Sequence, residues 1–401
     1  MKILYYSPHP SLKLHAPTGY GTHMREMIRA FEEIGHEVRF FIGGETKSTQ
    51  SKESVKPETS HIHPIKKLIK QITPHIIWET VKDFHLIRID KNNRQMLQRM
   101  CIDFAPDVIY ERSHYGMVSG VQIASKLGIH HVLEVNSPNV QERIELSGSS
   151  WLSARAKKAD NWVFSQSDHV LTVSTRLAEM LDIPKISKNW SVTPNAIRPG
   201  QELQTTKAWT RSNLGICDST FLVGFIGSIF PWHGVDLLID AIALLRNNNV
   251  DVSALIVGNG AIKNELVQQS VEKKVDKHVF WTGSVPHYEI HGLGSLCDCL
   301  IMPKSDEYRS PVKLFEYALC NRPVIAPNQL PVLEVMEDKV HGLIVSADEN
   351  EISNAIVQLI NEQLGAQYAS KWRSKVMDQH TWRKNAIEAL KLVSLHTAAQ
   401  G

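Results

Sequence analysis

The chain has 401 residues and a formal net charge of +2 at pH 7. This length predicts two domains, and a hydrophobic share of 42% with a charged share of 21% is typical of a globular protein. The small net charge excludes a global nucleic-acid-binding surface, and no apolar run of about 18 residues predicts a membrane-spanning helix. The N-terminal apolar run is too short for a secretory signal, and five irregularly spaced cysteines favour reduced thiols. We therefore expect a cytoplasmic protein that binds no nucleic acid.

Short β-rich runs alternate with helical segments along most of the chain. Nearly continuous apolar strands in such an alternation predict parallel, doubly wound sheets. Two sets of six strands therefore predict an α/β protein with two facing Rossmann-like domains and a ligand cleft at the carboxyl ends of the strands. The candidate strands span residues 2–7, 37–42, 107–111, 131–136, 169–174 and 190–194 in the first half, and 221–227, 252–257, 278–283, 297–302, 322–326 and 342–346 in the second.

A polar stretch over residues 195–207 predicts the boundary between the domains. We expect an N-terminal domain over 1–200 and a C-terminal domain over 201–378. Residues 44–100 interrupt the alternation and form a predicted insertion in the first domain. Within it, residues 62–72 combine an apolar stripe at helical spacing with flanking lysines. That pattern is typical of a helix on an anionic membrane surface, or of a helix packed on its own domain with a solvated basic face.

Residues 308–328 predict a loop, a helix and a buried strand. Ser310 is suited to the N-cap and Pro311 to the first helical position. Lys313 lies in the first turn, where the helix dipole disfavours a cation, so the open N–H groups and the lysine are together suited to an anion. Glu316 on the next turn can accept hydrogen bonds from ribose hydroxyls. The segment predicts a nucleoside diphosphate site, and the alternative is an ordinary crossover helix with a stray lysine.

Six further motifs occur in a fixed order along the chain. With residues 308–328, this ordered set resembles glycosyltransferase family 4, the retaining glycosyl transferases group 1 with the GT-B fold. The resemblance covers essentially the whole chain and implies that a C-terminal helix over 379–401 returns to the first domain. The motifs are PTGYGTH at 17–23, DHVLTVS at 168–174, GSIFPWHGVD at 227–236, IVGNG at 256–260, FWTGSVP at 280–286 and TWRKNA at 381–386.

The resemblance implies an activity and its partners. The enzyme would move a sugar from a nucleoside-diphosphate sugar to a saccharide or lipid-linked acceptor, in the synthesis of cell-surface polysaccharide or glycoconjugate. The configuration at the sugar would be retained, with a donor phosphate oxygen helping to deprotonate the acceptor, so neither a protein nucleophile nor a metal or other cofactor is expected. The protein would be cytoplasmic, with peripheral contact to the inner face of the membrane through residues 62–72.

The resemblance also implies site residues. Catalytic roles fall on Lys313, Asn136 and His233. The residues expected to bind the donor are Gly19, Gly21, Ser228, Gly258, Gly260, Val285, Tyr308, Ser310, Pro311, Val312 and Glu316.

The chain departs from the family pattern at four positions. Tyr308 stands where the family usually has a glutamate, while Ser228 and His233 fall near its usual arginine and lysine. His233 would carry charge only below its reference pKa near 6.5, which makes Lys313 the main expected cation. Asn136 replaces a common histidine and can hydrogen-bond a sugar hydroxyl but cannot shuttle a proton.

These departures keep two alternative functions open. One is a GT-B protein that binds a nucleotide sugar without transfer activity. The other is a GT-B nucleotide-sugar epimerase, which Asn136 and Tyr308 disfavour because that chemistry needs acid and base groups at the sugar. Structural roles are also open for several residues: Gly19 and Gly21 in a tight turn, His233 in a turn and Asn136 as a cap.

Overall fold

The computed structural model describes residues 1–16, 18–45, 74–204, 209–362 and 364–400. Contacts divide the chain into two compact units, one formed by Met1–Thr193 with Asn385–Gly401 and the other by Pro194–Lys384. The division falls at the start of the polar stretch that marks the predicted boundary. Residues 62–72 lie outside the described residues, as does the rest of 46–73 within the predicted insertion.

The first unit contains a six-stranded parallel sheet, as predicted. The first strand contains the run Ile3-Leu4-Tyr5-Tyr6, which is wholly inaccessible to solvent. The strands are β1 (Lys2–Ser7), β2 (Glu37–Ile42), β3 (Val108–Arg112), β4 (His130–Val135), β5 (His169–Thr172) and β6 (Trp190–Val192). Their order is β2-β1-β3-β4-β5-β6, and Ile3 pairs with both Val38 and Val108. The strand order therefore reverses between β1 and β3, which is the topological switch point of this sheet.

The helices of the first unit within the described residues are α1 (Gly19–Glu33), α2 (His75–Phe104), α3 (Ser119–Leu127), α4 (Asn139–Ser147), α5 (Ser153–Gln166), α6 (Thr175–Met180) and α7 (Ile183–Ile186). Helix α2 is unusual because three of its four carboxylates, Glu79, Asp83 and Asp90, are buried. The fourth, Asp103 near its end, is exposed. They stay inside because each has a partner. The hydroxyl of Tyr115 donates to Asp83 at 2.6 Å, and Arg143 contacts Glu79 at 2.6 Å.

The second unit contains another six-stranded parallel sheet, again as predicted. Its strands are β7 (Phe221–Ile226), β8 (Val252–Val257), β9 (Val279–Gly283), β10 (Cys299–Ile301), β11 (Val324–Pro327) and β12 (Leu343–Val345). The order is β12-β11-β10-β7-β8-β9, which is the Rossmann order with its switch point between β7 and β10. Alternate residues of β7 enter two different cores, Val223 and Phe225 on one face and Leu222 and Ile226 on the other.

The helices of the second unit cover both faces of its sheet. They are α8 (Val235–Asn247), α9 (Lys263–Glu272), α10 (Ile290–Gly294), α11 (Val312–Leu319), α12 (Leu330–Leu333), α13 (Glu349–Asn361) and α14 (Gly365–Gln379). The last helix, α15 (Trp382–Gln400), begins in the second unit and ends in the first. None of the helices in the described part of the chain is long and apolar enough to cross a membrane.

Candidate functional site

Helix α11 starts at the switch point of the second sheet because Tyr317 ties it there. The Tyr317 hydroxyl accepts a hydrogen bond from the backbone N–H of Ile226 at 2.9 Å. It also lies 3.1 Å from the carbonyl oxygen of Ile226 and 3.3 Å from that of Ile301. Ile226 and Ile301 are the last residues of β7 and β10, so the first turn of α11 lies where open α/β sheets bind their ligands.

Lys313 in that first turn has a buried ammonium group. Its Nζ has no hydrogen-bond acceptor among the described residues, and it lies 4.8 Å from the centre of the Phe225 ring. Burial lowers the pKa of Lys313 to about 7, against a smaller raising effect of Glu316. A buried cation without an acceptor is costly, so this position favours an added anion.

The predicted cap of α11 is wrong in detail. The helix begins at Val312, which places Pro311 at the N-cap, and no side chain caps this end. Ser310 is used differently, since its hydroxyl accepts a hydrogen bond from the backbone N–H of Asn195 at 3.0 Å. The chain on the N-terminal side of the helix is thus held in place while the helix end itself keeps no side-chain cap, which suits an anion-binding role.

Glu316 is paired with a residue that sequence reasoning missed. Its Oε1 lies 2.6 Å from Nε2 of His287. Burial by itself raises the pKa of Glu316, but the hydrogen bond from His287 and the neighbouring positive charges outweigh it, so the pKa is lowered. His287 follows β9 directly after Val285 and Pro286, and its place at the carboxyl end of a predicted strand was the available signal. The pair leaves Glu316 as an anion that can accept hydrogen bonds.

His233 is neutral at physiological pH. Burial and the charges of Lys313 and Arg309 lower its pKa to about 3, far below the reference value assumed from the sequence. Its Nδ1 lies 2.5 Å from the carbonyl oxygen of Ser228, so Nδ1 carries the hydrogen and Nε2 is left as an acceptor. The ring therefore adds no positive charge here. Arg309, which the sequence did not single out, lies nearby in an ion pair with Asp306.

The two glycines after β8 are required by packing. Gly258 has a φ of +139°, and a Cβ there would lie 1.9 Å from the carbonyl oxygen of Gly227. A Cβ at Gly260 would lie at the same distance from the carbonyl oxygen of Ile229. A structural role therefore accounts for Gly258 and Gly260, and their contact with a nucleotide stays a prediction.

Tyr308 and Val285 are partly or wholly packed into the second unit. Tyr308 is only 9% exposed, and its hydroxyl accepts a hydrogen bond from Nη2 of Arg309 at 3.3 Å. Val285 packs against the core on one face of the sheet. Tyr308 thus supplies a buried ring with a polar tip where the family pattern has a carboxylate, and the guanidinium of Arg309 stands over that ring at 5.4 Å.

Gly19 and Gly21 lie in the first unit, in the first turn of α1. Gly19 is the first residue of α1, and the N-cap side chain of Thr18 accepts a hydrogen bond from the N–H of Gly21 at 3.3 Å. A Cβ at Gly21 would lie 2.3 Å from the carbonyl oxygen of Ala16, whereas a Cβ at Gly19 would meet nothing within 4 Å. Packing therefore explains Gly21 but leaves Gly19 unexplained.

Asn136 directly follows β4, beside a buried network that holds the start of α1 against the sheet. His23 contacts Glu134 at 2.8 Å, and Nη1 of Arg112 lies 3.2 Å from Nδ1 of His23. Burial raises the pKa of Glu134, but His23, Arg112 and the amide of Asn136 together outweigh it and lower the pKa to about 2. Nδ2 of Asn136 is nevertheless buried without a hydrogen-bond acceptor among the described residues, and the contact of Asn136 with a sugar stays a prediction. Within the described ranges, no group of three or more His, Cys, Asp or Glu side chains is arranged to hold a metal ion.

Two family models match consecutive parts of the chain. Residues 17–201 match the model described as Glycosyltransferase Family 4, and residues 220–362 match the model described as Glycosyl transferases group 1. Together the two matches cover most of the chain and coincide with its two units.

Individual relatives agree with these matches. An uncharacterized glycosyltransferase of Methanocaldococcus jannaschii is 24% identical over 283 residues, which are 70% of this chain and 71% of that protein. A D-inositol 3-phosphate glycosyltransferase of Stackebrandtia nassauensis is 25% identical over 271 residues, 64% of this chain and 60% of that protein. The chain thus spans less than two thirds of the second relative's length.

Among solved structures, the HepE protein of Anabaena in complex with UDP matches this chain with a TM-score of 0.69. The match covers 100% of both chains at 18% identity, so it bears on the fold alone. Two parallel sheets with the strand orders described above, and two family models in the expected order, lead to one conclusion. The chain belongs to glycosyltransferase family 4, the glycosyl transferases group 1 enzymes with the GT-B fold.

Proposed function

We propose that this glycosyltransferase moves a sugar, with retention of configuration, from a nucleoside-diphosphate sugar to a saccharide or lipid-linked acceptor in the synthesis of cell-surface polysaccharide or glycoconjugate. The observation that carries the proposal is the buried ammonium of Lys313, which lacks a hydrogen-bond acceptor among the described residues and lies at the uncapped start of α11. A diphosphate would supply the missing acceptor. The solved relative from Anabaena, which is in complex with UDP, supports this choice of ligand.

In this proposal different side chains contact the diphosphate and the ribose of the donor. Lys313 stabilises the negative charge that grows on the departing diphosphate, and Arg309 lies nearby in an ion pair with Asp306. Glu316, kept as an anion by His287, accepts hydrogen bonds from the ribose. The protein's own cations meet the diphosphate charge, so we propose that no metal ion is needed. A donor phosphate oxygen takes the acceptor proton, because Asn136 cannot hold one.

The test begins with binding and ends with the product. Calorimetry with UDP-, GDP- and ADP-sugars should reveal one donor class that binds wild-type protein and loses at least about tenfold affinity in Lys313→Met, the effect of removing a charged hydrogen bond. With that donor, NMR of the transfer product should show the anomeric configuration of the donor, with turnover unchanged by EDTA. Binding of no donor would refute the donor site, whereas an inverted product would refute retention alone.

We also propose that the enzyme works in the cytoplasm against the inner face of the membrane. The outer face of α2 supports this, because it exposes Val81, Phe84 and Ile87 by 55%, 57% and 36% of their surfaces. Arg88 and Lys91 are exposed on the same helix, while Glu79, Asp83 and Asp90 are buried. Apolar and basic side chains together suit an anionic lipid surface.

Co-sedimentation with phospholipid vesicles tests the membrane proposal. Wild-type protein should pellet with vesicles that contain phosphatidylglycerol and much less with pure phosphatidylcholine. Phe84→Asp should reduce pelleting about fivefold or more, since it removes apolar burial and adds a like charge. Val271→Asp is the matched control, because Val271 is 50% exposed on α9 of the other unit. Equal pelleting of wild type and Phe84→Asp would contradict this surface.

A further inference from the structure

The switch point of the first sheet carries two stacked histidine rings. His9 follows β1 and His114 follows β3, the two strands between which the strand order reverses. The ring centres lie 3.7 Å apart with an angle of 17° between the planes. Open α/β sheets bind ligands outside the carboxyl ends of their strands at this point, so the pair occupies the position where a ligand of the first unit is expected.

Both rings present a hydrogen-bond donor. Nδ1 of His9 accepts from the backbone N–H of Ser11 at 3.2 Å and lies 2.7 Å from the Ser11 hydroxyl, which can donate to the same nitrogen. Nδ1 of His114 accepts from the backbone N–H of Tyr115 at 2.9 Å. A backbone N–H can only donate, so in each neutral ring the hydrogen resides on Nε2. Burial with the charge of Arg143 lowers the pKa of His9 to about 4, and burial with His9 and Arg112 lowers that of His114 well below its usual value. The two rings are therefore neutral donors at physiological pH.

Arg143 adds a third donor beside this pair. Its Nη2 contacts Glu79 at 2.6 Å and Asp83 at 3.0 Å, and its guanidinium lies 5.8 Å from the centre of the Tyr115 ring. These contacts fix the side chain, yet its Nη1 is buried without an acceptor among the described residues. The charge of Arg143 adds to the effect of burial on the pKa of His9, so this guanidinium lies near the stacked pair.

The backbone around His9 is also held in place. Nδ2 of Asn93 donates to the carbonyl oxygen of Pro8 at 2.9 Å, and Glu45 accepts from the N–H of Leu14 at 2.9 Å. A binding loop that is fixed before the ligand arrives loses little entropy on binding. The three donors are therefore preorganised rather than assembled by the ligand.

We propose that His9, His114 and Arg143 bind an oxyanion carried by the acceptor, either a phosphate or a carboxylate. Sugar hydroxyls need acceptors as well as donors, whereas Nε2–H of each ring and Nη1 of Arg143 are donors, which suits an oxyanion. The inference rests on the proposed transfer function and narrows its acceptor to an acidic or phosphorylated one. The site is independent of the donor residues around Lys313.

NMR of the full chain with labelled histidines tests the site directly. His9→Gln and His114→Gln assign the two imidazole signals, and inorganic phosphate and glucuronate serve as separate probes. One probe should shift both signals with saturation, and each variant should weaken its binding about tenfold. His130→Gln is the matched control, because His130 is the first residue of β4 and so lies at the amino ends of the strands, whereas His9 and His114 follow the carboxyl ends. Saturation by phosphate alone assigns a phosphate, and saturation by glucuronate alone assigns a carboxylate.

Two further readouts keep this proposal separate from the donor proposal. The shifts of the His9 and His114 signals should persist in Lys313→Met, because that variant removes the lysine that would attract phosphate to the donor site. Nucleotide affinity should be the same in wild type, His9→Gln and His114→Gln. Shifts of neither histidine with either probe, or unchanged probe affinity in both variants, would overturn the oxyanion site even if nucleotide binding holds. A wild-type protein that binds no nucleotide would instead contradict the proposed donor site.

Discussion

The ammonium nitrogen of Lys313 lies 4.8 Å from the centre of the Phe225 ring and has no hydrogen-bond acceptor among the residues that the structure describes. Phe225 belongs to β7, at the switch point of the second sheet. A buried cation without an acceptor is costly, and the proposed diphosphate would neutralise it. Stability and binding should therefore respond in opposite directions to its removal.

Lys313→Met should stabilise the protein while it weakens nucleotide binding. Replacing a buried unpaired ammonium with an apolar side chain of similar shape should raise the free energy of unfolding at pH 7 by about 1 kcal/mol or more. Urea denaturation measures this change, and calorimetry measures the loss of affinity. Lys371→Met, at an exposed position on α14, should change neither quantity. A less stable Lys313→Met protein would contradict the unpaired state of the ammonium.

The stability gain from Lys313→Met should depend on pH. The pKa of Lys313 is about 7 in the folded protein against an ordinary 10.5, so the unfolded chain binds more protons between these values. Wild-type stability therefore gains from this group as the pH rises through that window. The advantage of the variant should be largest at about pH 7 and below, and it should shrink toward about pH 10. Urea denaturation across this range should show the convergence, and a constant difference would contradict it.

Glu316 and His287 should be coupled in nucleotide binding. Glu316→Gln should weaken the binding of the nucleoside diphosphate about tenfold, because an amide makes weaker hydrogen bonds to ribose than a carboxylate. His287→Gln should have a smaller effect, and the double variant should lose less than the sum, as expected for side chains 2.6 Å apart. Calorimetry of the cycle measures this, with Glu272→Gln on α9 as the control. Strict additivity would show that the pair does not act together.

Alanine substitutions at Gly19 and Gly21 should have different effects on stability and on nucleotide affinity. Gly19→Ala adds a methyl group where nothing lies within 4 Å, so the melting temperature should not fall. Its nucleotide affinity should fall nonetheless if the nucleotide approaches this backbone. Gly21→Ala places a methyl group against the carbonyl oxygen of Ala16 and should cost about 1–3 kcal/mol of stability. Thermal unfolding and calorimetry on both variants test this, and undiminished affinity in Gly19→Ala would remove it from the donor site.

Glu134→Gln should destabilise the protein in a pH-dependent way. Glu134 is buried with His23 and Arg112, and losing its charge should cost about 3 kcal/mol at pH 7. Its pKa is about 2 in the folded protein against an ordinary 4.5, so the contribution is present above about pH 4.5 and is lost as the pH falls toward 2. Urea denaturation should show the two proteins converging in acid. Equal stability at pH 7 would contradict a structural role for this network.

Most of the architecture could be predicted because it depends on local patterns. All twelve strands appear where apolar runs predicted them, since a parallel sheet covered on both faces needs such runs. The start of α11 was predicted to within about one residue, but its cap was wrong. Serine is a favoured N-cap residue, yet the hydroxyl of Ser310 accepts a hydrogen bond from the backbone N–H of Asn195, which is far away in sequence. A local rule failed because a nonlocal hydrogen bond was available.

The sequence by itself determined two parallel sheets and pointed to Lys313 and Glu316, because chain periodicity and helix-end chemistry are local properties. Only the tertiary structure decided which groups stand beside them. It showed that Lys313 has a buried ammonium, that Glu316 is paired with His287 and that His233 is neutral. It also brought His9 and His114, distant in sequence, into one stack. Burial and pairing set charge states, and both depend on side chains that meet only after the chain has folded.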